Sequence, residues 1–152
     1  MTGAANTLTI SRVIDAPPDR VYAAFLDPEE LAEWLPPTGF SAEVHHLEPE
    51  VGWTFRITFT GESGEFADFE HSFGGEYLEL VPGERVVHTD AFETDDPTMA
   101  GEMTVTVTFD EVPSGTEVTV RQEGIPEAIP PEDANAGWND SLGNLAALVE
   151  DA

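Results

Sequence analysis

Two rhythms run through this chain, one of period two and one closer to period four. Leu8 to Ile14 alternates loosely and stops at Ala16-Pro17-Pro18, which predicts a strand over about 8–14. Asp19 is placed to cap a short helix over 20–26. Asp27-Pro28 opens a second short helix that ends near Trp34, before Pro36-Pro37. A strand is predicted near 42–47. The clearest segment follows it, with Trp53, Phe55, Ile57 and Phe59 alternating with Thr54, Arg56, Thr58 and Thr60. After the Gly61-to-Gly64 turn, strands are predicted over about 66–81 and 85–92, joined through Pro82-Gly83-Glu84. In the next strand Met103, Val105, Val107 and Phe109 alternate with threonines. Beyond Pro113-Ser114-Gly115, Val118 and Val120 point inward, and Gly124-Ile125-Pro126 ends the run. The rhythm then changes: Ala134, Trp138, Leu142, Leu145 and Val149 form one stripe on a helix over about 131–150.

Strands joined by short turns pair antiparallel, and their clean alternation says that only one sheet face is covered. The cover is the terminal helix, so its stripe, Trp138 included, is expected to face a concave sheet. The expected fold class is α+β: one domain over 1–152, a curved antiparallel sheet of about seven strands wrapped around a long C-terminal helix, and two short helices after the first strand. A sheet closed by one helix encloses a space, and that space is the candidate seat of function.

The charge changes this picture most. The chain has 152 residues, with thirty-one acids against five bases and a net charge of −26. All five bases are arginine (Arg12, Arg20, Arg56, Arg85, Arg121), and lysine is absent. Such a chain repels itself in dilute buffer, and molar salt screens most of that repulsion. The composition reads as adaptation to a salt-rich cytoplasm. It argues strongly against nucleic acid and anionic membranes as partners, since both need a basic face. No run approaches the ~20 apolar residues of a membrane span, no secretory signal is visible, and there is no cysteine.

Several segments carry a family resemblance: Ile14-Asp15-Ala16-Pro17-Pro18 with Val21-Tyr22, Asp27-Pro28 through Pro37, His71 through Pro82 with Glu84-Arg85, Gly101-Glu102-Met103 with Val105, and Gly137-Trp138 with Leu142 and Leu145. In this order the chain resembles the START-like helix-grip superfamily (SRPBCC), and within it the branch of homologues of the heat-shock-protein-90 ATPase activator. The resemblance implies the helix-grip fold. It transfers no catalytic residue, because lipid carriers, hormone receptors, polyketide cyclases and co-chaperones share the scaffold.

The candidate ligand-binding residues are Trp34, Phe55, Ile57, Phe59, Phe69, His71, Phe73, Val105, Val107, Trp138 and Leu142. Trp53 joins the aromatics read as core or cavity wall. Within the long fourth strand the apolar parity flips: Phe69, His71 and Phe73 are odd, Leu78 and Leu80 even. A bulge at Gly74-Gly75 would reconcile them and turn His71 inward. The other reading of His71 is a ring satisfied by a backbone carbonyl near the sheet edge. His88 is expected on the solvent side opposite Glu79, with Tyr77 opposite Asp90, and the acids from Asp90 to Asp96 read as a solvated loop. Adjacent His45 and His46 point to opposite strand faces and do not share a metal ion. Arg56 and Arg121 read as exposed ion pairs; the orientation of Arg12 stays open.

The leading functional expectation is a binding protein for a hydrophobic small molecule, monomeric or weakly dimeric, with no cofactor and no metal. One alternative is an enzyme of cyclase or dehydratase type using the same cavity. The other is a co-chaperone-like activator homologue, which predicts an exposed apolar patch. Neither Gly-x-Ser-x-Gly nor a phosphate loop occurs.

Overall fold

The computed structural model describes residues 7–36, 39–61, 70–95, 97, 101–126, 129 and 131–150. Ten elements follow in chain order: β1 (Leu8–Ile14), α1 (Pro18–Leu26), α2 (Pro28–Trp34), β2 (Phe40–Leu47), β3 (Thr54–Gly61), β4 (Glu70–Val81), β5 (Arg85–Phe92), β6 (Met103–Val112), β7 (Gly115–Glu123) and α3 (Pro131–Glu150). The strands form one antiparallel sheet in the order β1-β7-β6-β5-β4-β3-β2. The first and last strands therefore pair, and α1 and α2 carry the chain from one edge of the sheet to the other. The α+β helix-grip arrangement is the one observed.

Threonine-rich alternation builds the sheet. On β6, Met103, Val105, Val107 and Phe109 are all buried on the concave face, while the intervening threonines are half-buried. Val118 and Val120 of β7 continue that face. Thr116, fully buried, donates its hydroxyl to Ala16 O at 2.7 Å and so ties the start of β7 to the end of β1.

The two short helices start differently. α1 begins at Pro18, sooner than expected, and no side chain caps it. Asp19 therefore sits inside the first turn, where its charge suits the helix dipole. α2 has the expected cap: Asp27 Oδ1 accepts from Glu29 N at 2.9 Å and from Glu30 N at 3.3 Å. Arg20 and Glu30 clamp the two helices through a two-pronged ion pair at 2.8 and 2.7 Å. Asp27→Ala is expected to lower stability by about 1 kcal/mol. Urea unfolding checks it, with the midpoint falling and the slope unchanged.

The long strand β4 corrects the sequence reading in an instructive way. Gly74 and Gly75 lie in regular register with Arg56 and Phe55 of β3, so no bulge occurs there. Glycine is needed for close approach instead: a Cβ on Gly74 would strike the Phe55 carbonyl, and one on Gly75 the Thr89 carbonyl. Across Gly75 and Glu76 the ladder to β5 lapses, and Glu76 N–H donates to Thr89 Oγ1 at 2.9 Å. The register shift comes at Leu78, between the pairs Tyr77↔His88 and Glu79↔Val87. Phe73 and Tyr77 are buried before it, Leu80 packs on the core after it, and Leu78 itself is 45% exposed rather than inside.

Trp53 is likewise not core. β3 starts at Thr54, and Trp53 belongs to the preceding turn, where its N–H donates to Glu50 O at 3.0 Å; it is 55% exposed. Arg56 pairs with Glu93 and Arg121 with Glu123, both exposed as expected, and Arg85 pairs with Glu79. Arg12 is exposed.

Candidate functional site

The last helix behaves as two halves. Its C-terminal half carries Leu142, Leu145, Ala146 and Val149, all buried in the closed core. Its N-terminal half presents Ala134, Gly137, Trp138 and Ser141 to the sheet, and these are small apart from the tryptophan. Small residues cannot fill the space under a curved sheet, so a cavity remains. A Cβ built on Gly137 meets nothing within 4 Å. The cavity measures about 330 Å³ and lies between this half-helix, α2 and the concave faces of β3, β4 and β5.

Hydrogen bonds fix the roof. Ser141 Oγ lies 2.6 Å from Leu35 O and 3.0 Å from Gly137 O. Asn144 Nδ2 donates to Pro36 O at 3.2 Å and to Trp34 O at 3.4 Å. The midpoint of α3 is thus stitched to the end of α2. Trp34 is fully buried, donates Nε1–H to Ala24 O at 2.9 Å and stacks edge-on against Phe25. Trp138 is half-buried and faces the sheet, where its Nε1–H donates to Gln122 Oε1 at 2.9 Å.

Of the residues singled out from sequence, Trp34, Phe55, Ile57, Phe59, His71, Phe73 and Trp138 line the cavity. Val105, Val107 and Leu142 do not; they belong to the closed core. Phe69 lies outside the described residues. His71 sits within 6 Å of Phe59, Phe73 and Phe92, ring centre to ring centre, and burial lowers its pKa. It reaches the cavity on a regular strand, without the bulge invoked for it.

Sequence reasoning placed the polar end of the cavity outside. Tyr77 is opposite His88, not Asp90, and Glu79 is opposite Val87. The cause is a three-residue turn, Pro82-Gly83-Glu84, with Gly83 at φ +72°, followed along β4 by the irregularity at Leu78. A register error of one flips a whole strand face. Val86, His88, Asp90 and Phe92 therefore all line the cavity. The detectable signal was period two itself, since His88 and Asp90 lie between Val86 and Phe92.

Both polar residues of that face can accept a hydrogen bond, Asp90 most strongly once ionised. His88 Nδ1 lies 2.7 Å from the Thr89 carbonyl, which can only accept, so Nδ1 carries the proton and Nε2 the lone pair. Burial lowers the His88 pKa, and its ring packs edge-on against Phe55 at 5.0 Å. Asp90 is not part of a solvated loop. Its Oδ1 is buried with no hydrogen-bond partner among the described residues. Burial pushes its carboxyl up to about 7, partly offset by the Ala91 N–H. Tyr77, opposite His88, is also buried, and its phenol is pushed well above its usual range. None of the five arginines lines the cavity. His45 and His46 bond separately to Thr58 and Thr54, and no group of three or more ligating side chains is placed to hold a metal among the described residues.

Comparison with known proteins agrees with the geometry. The family model described as activator of Hsp90 ATPase homolog 1-like protein matches residues 15–150. A crystal structure of a Chromobacterium violaceum protein is 49% identical, with a TM-score of 0.89 over 96% of this chain and 98% of that one. A Rhodobacter sphaeroides protein shares the fold at 24% identity and a TM-score of 0.81, covering 99% and 96% of the two chains. An AHSA1-like protein from Aeromonas hydrophila does so at 20% identity and a TM-score of 0.75, covering 95% and 92%. No curated protein matches the chain.

Proposed function

The chain belongs to the family of activator of Hsp90 ATPase homolog 1-like proteins, and from its cavity we propose that it binds a small hydrophobic molecule. One observation carries this reading: a space of about 330 Å³, walled mostly by aromatic and aliphatic side chains, with a few polar groups among them. That volume sits at the lower end of the range typical of ligand sites. At about 30 Å³ per water-sized group it holds roughly eleven non-hydrogen atoms.

Native mass spectrometry of the protein from its own host, kept in molar salt until spraying, tests the reading. The expected spectrum shows a second species heavier by one small molecule. Gly137→Phe, which fills the open space at that position, is expected to remove the heavier species while leaving the folded charge distribution. Bare protein alone in the unaltered chain would overturn the reading.

A co-chaperone-like role draws on a different observation. Val51, Trp53 and Leu78 are all exposed. Tyr77 N–H donates to Trp53 O at 3.0 Å, and Gly52 N–H to Tyr77 O at 2.9 Å, so the three lie close together where the turn before β3 meets β4. Three side chains fall well short of the ~20 residues a side typical of a stable interface. The cavity remains the stronger feature.

A further inference from the structure

On β5 the polar end of the cavity offers two acceptors. Among the described residues Asp90 Oδ1 is buried without a partner, and His88 Nε2 offers a lone pair. The two residues alternate on one strand face, about 7 Å apart along the backbone. The neighbouring polar groups are already engaged. Gln122 takes the Trp138 N–H and gives its own to Met103 Sδ at 3.1 Å, and the Ser141 hydroxyl lies against two carbonyls. The protein sends no cation to meet Asp90: Arg20, Arg56, Arg85 and Arg121 pair with carboxylates elsewhere, and Arg12 is exposed.

We propose that the cavity takes an apolar molecule through a protonated amine, with Asp90 as its counter-ion and His88 as a second acceptor on the same strand face. This rests on the ligand-binding reading above and adds the chemical class. A buried carboxylate oxygen with no donor is costly, and an ammonium supplies both the donor and the opposite charge. Its three N–H groups match the acceptors that Asp90 and His88 offer on one strand face. Around it stand the rings of Tyr77, His71, Phe73 and Phe92, and aromatic faces attract a desolvated cation. A carboxylate ligand would instead meet Asp90 with no cation to separate the two charges. An alcohol would satisfy one acceptor and leave the charge uncompensated.

The pH dependence follows from the groups that face the site. These are His71 and Tyr77 on β4, His88 on β5 and Asp133 on α3. Burial keeps both histidines and the tyrosine neutral near pH 7. Asp90 is then the group that changes charge, across the region of about 7. Amine binding strengthens as pH rises through that region, because only the ionised carboxylate gains from the cation.

Titration calorimetry with octylamine, 1-octanol and octanoate tests the proposal on the whole protein. Molar potassium chloride throughout screens any general attraction of amines to the acidic surface. At pH 8 octylamine is expected to bind at least about tenfold tighter than octanol, as a charge-assisted hydrogen bond does over a neutral one, with octanoate weakest. The amine-to-octanol ratio is expected to fall toward one at pH 5.5, and also in Asp90→Asn at pH 8. Should that variant fail to unfold cooperatively, the pH comparison on the unaltered chain decides alone. Octanoate binding as tightly as octylamine, or a ratio unmoved by both pH and Asp90→Asn, overturns the amine assignment and leaves the binding reading standing. No binding by any of the three overturns both.

Discussion

Asp90→Asn is expected to stabilise the protein in mildly alkaline solution, by up to about 4 kcal/mol at pH 8. In the folded state the Asp90 carboxyl holds its proton up to about 7, whereas the unfolded chain releases it near 3.8. Between those values the native state binds more protons than the unfolded one, so stability falls as pH rises. The loss begins near pH 4 and is complete above pH 7. The ion-paired Glu79 and Glu93 act in the opposite sense, their pKa values being lowered by Arg85 and Arg56, but both are exposed and are present in both proteins. The difference between variant and parent therefore isolates Asp90. Urea unfolding at pH 5 and pH 8 should show the gap between them widening by about 2–3 kcal/mol. A gap that stays constant over that range would mean that Asp90 ionises as an exposed carboxylate does.

The second large effect concerns salt. Transfer from molar potassium chloride to dilute buffer is expected to lower the melting temperature by at least about 10 °C, a shift that roughly 3–5 kcal/mol produces in a chain of this size. The cause is the net charge of −26. At 0.01 M salt the Debye length is about 30 Å, so every carboxylate on the molecule feels the others; at 1 M it is about 3 Å. Salt also weakens the exposed pairs Arg56–Glu93, Arg85–Glu79 and Arg121–Glu123. Exposed pairs contribute at most about 1 kcal/mol each, so the relief of repulsion wins. A scanning calorimetry series from 0.02 to 2 M checks this. A flat melting temperature would remove the reading of the acidic composition as adaptation to salt.

Most of the scaffold was legible because its signals are local. The Asp27 cap, the alternation of β3 and β6 and the stripe of α3 each follow from residues within one element, and each element lies within a few residues of its expected place. The polar end of the cavity was harder to see because register is not local. Whether His88 faces in or out depends on one extra residue in a turn and one unpaired residue at Leu78, and neither changes the hydrophobic pattern of β5. Parity did reveal that β4 contains an irregularity. It named the wrong residues, because glycine in a strand marks close backbone approach as readily as a bulge. The cavity left its trace in residue size rather than polarity: Ala134, Gly137 and Ser141 are the small members of the face that Leu142 and Leu145 continue with bulk.

The two-part character of α3 has an evolutionary consequence. Leu142, Leu145, Ala146 and Val149 anchor the fold, while Ala134 and Gly137 shape the cavity and are not part of the closed core. A lineage can therefore exchange residues over the first turns of one helix, and so change what the protein accommodates, without drawing on the small stability margin that most mutations consume. Adaptability and foldedness are carried by adjacent stretches of the same helix. That separation gives a physical reason why one scaffold can diversify its contents while its backbone stays put.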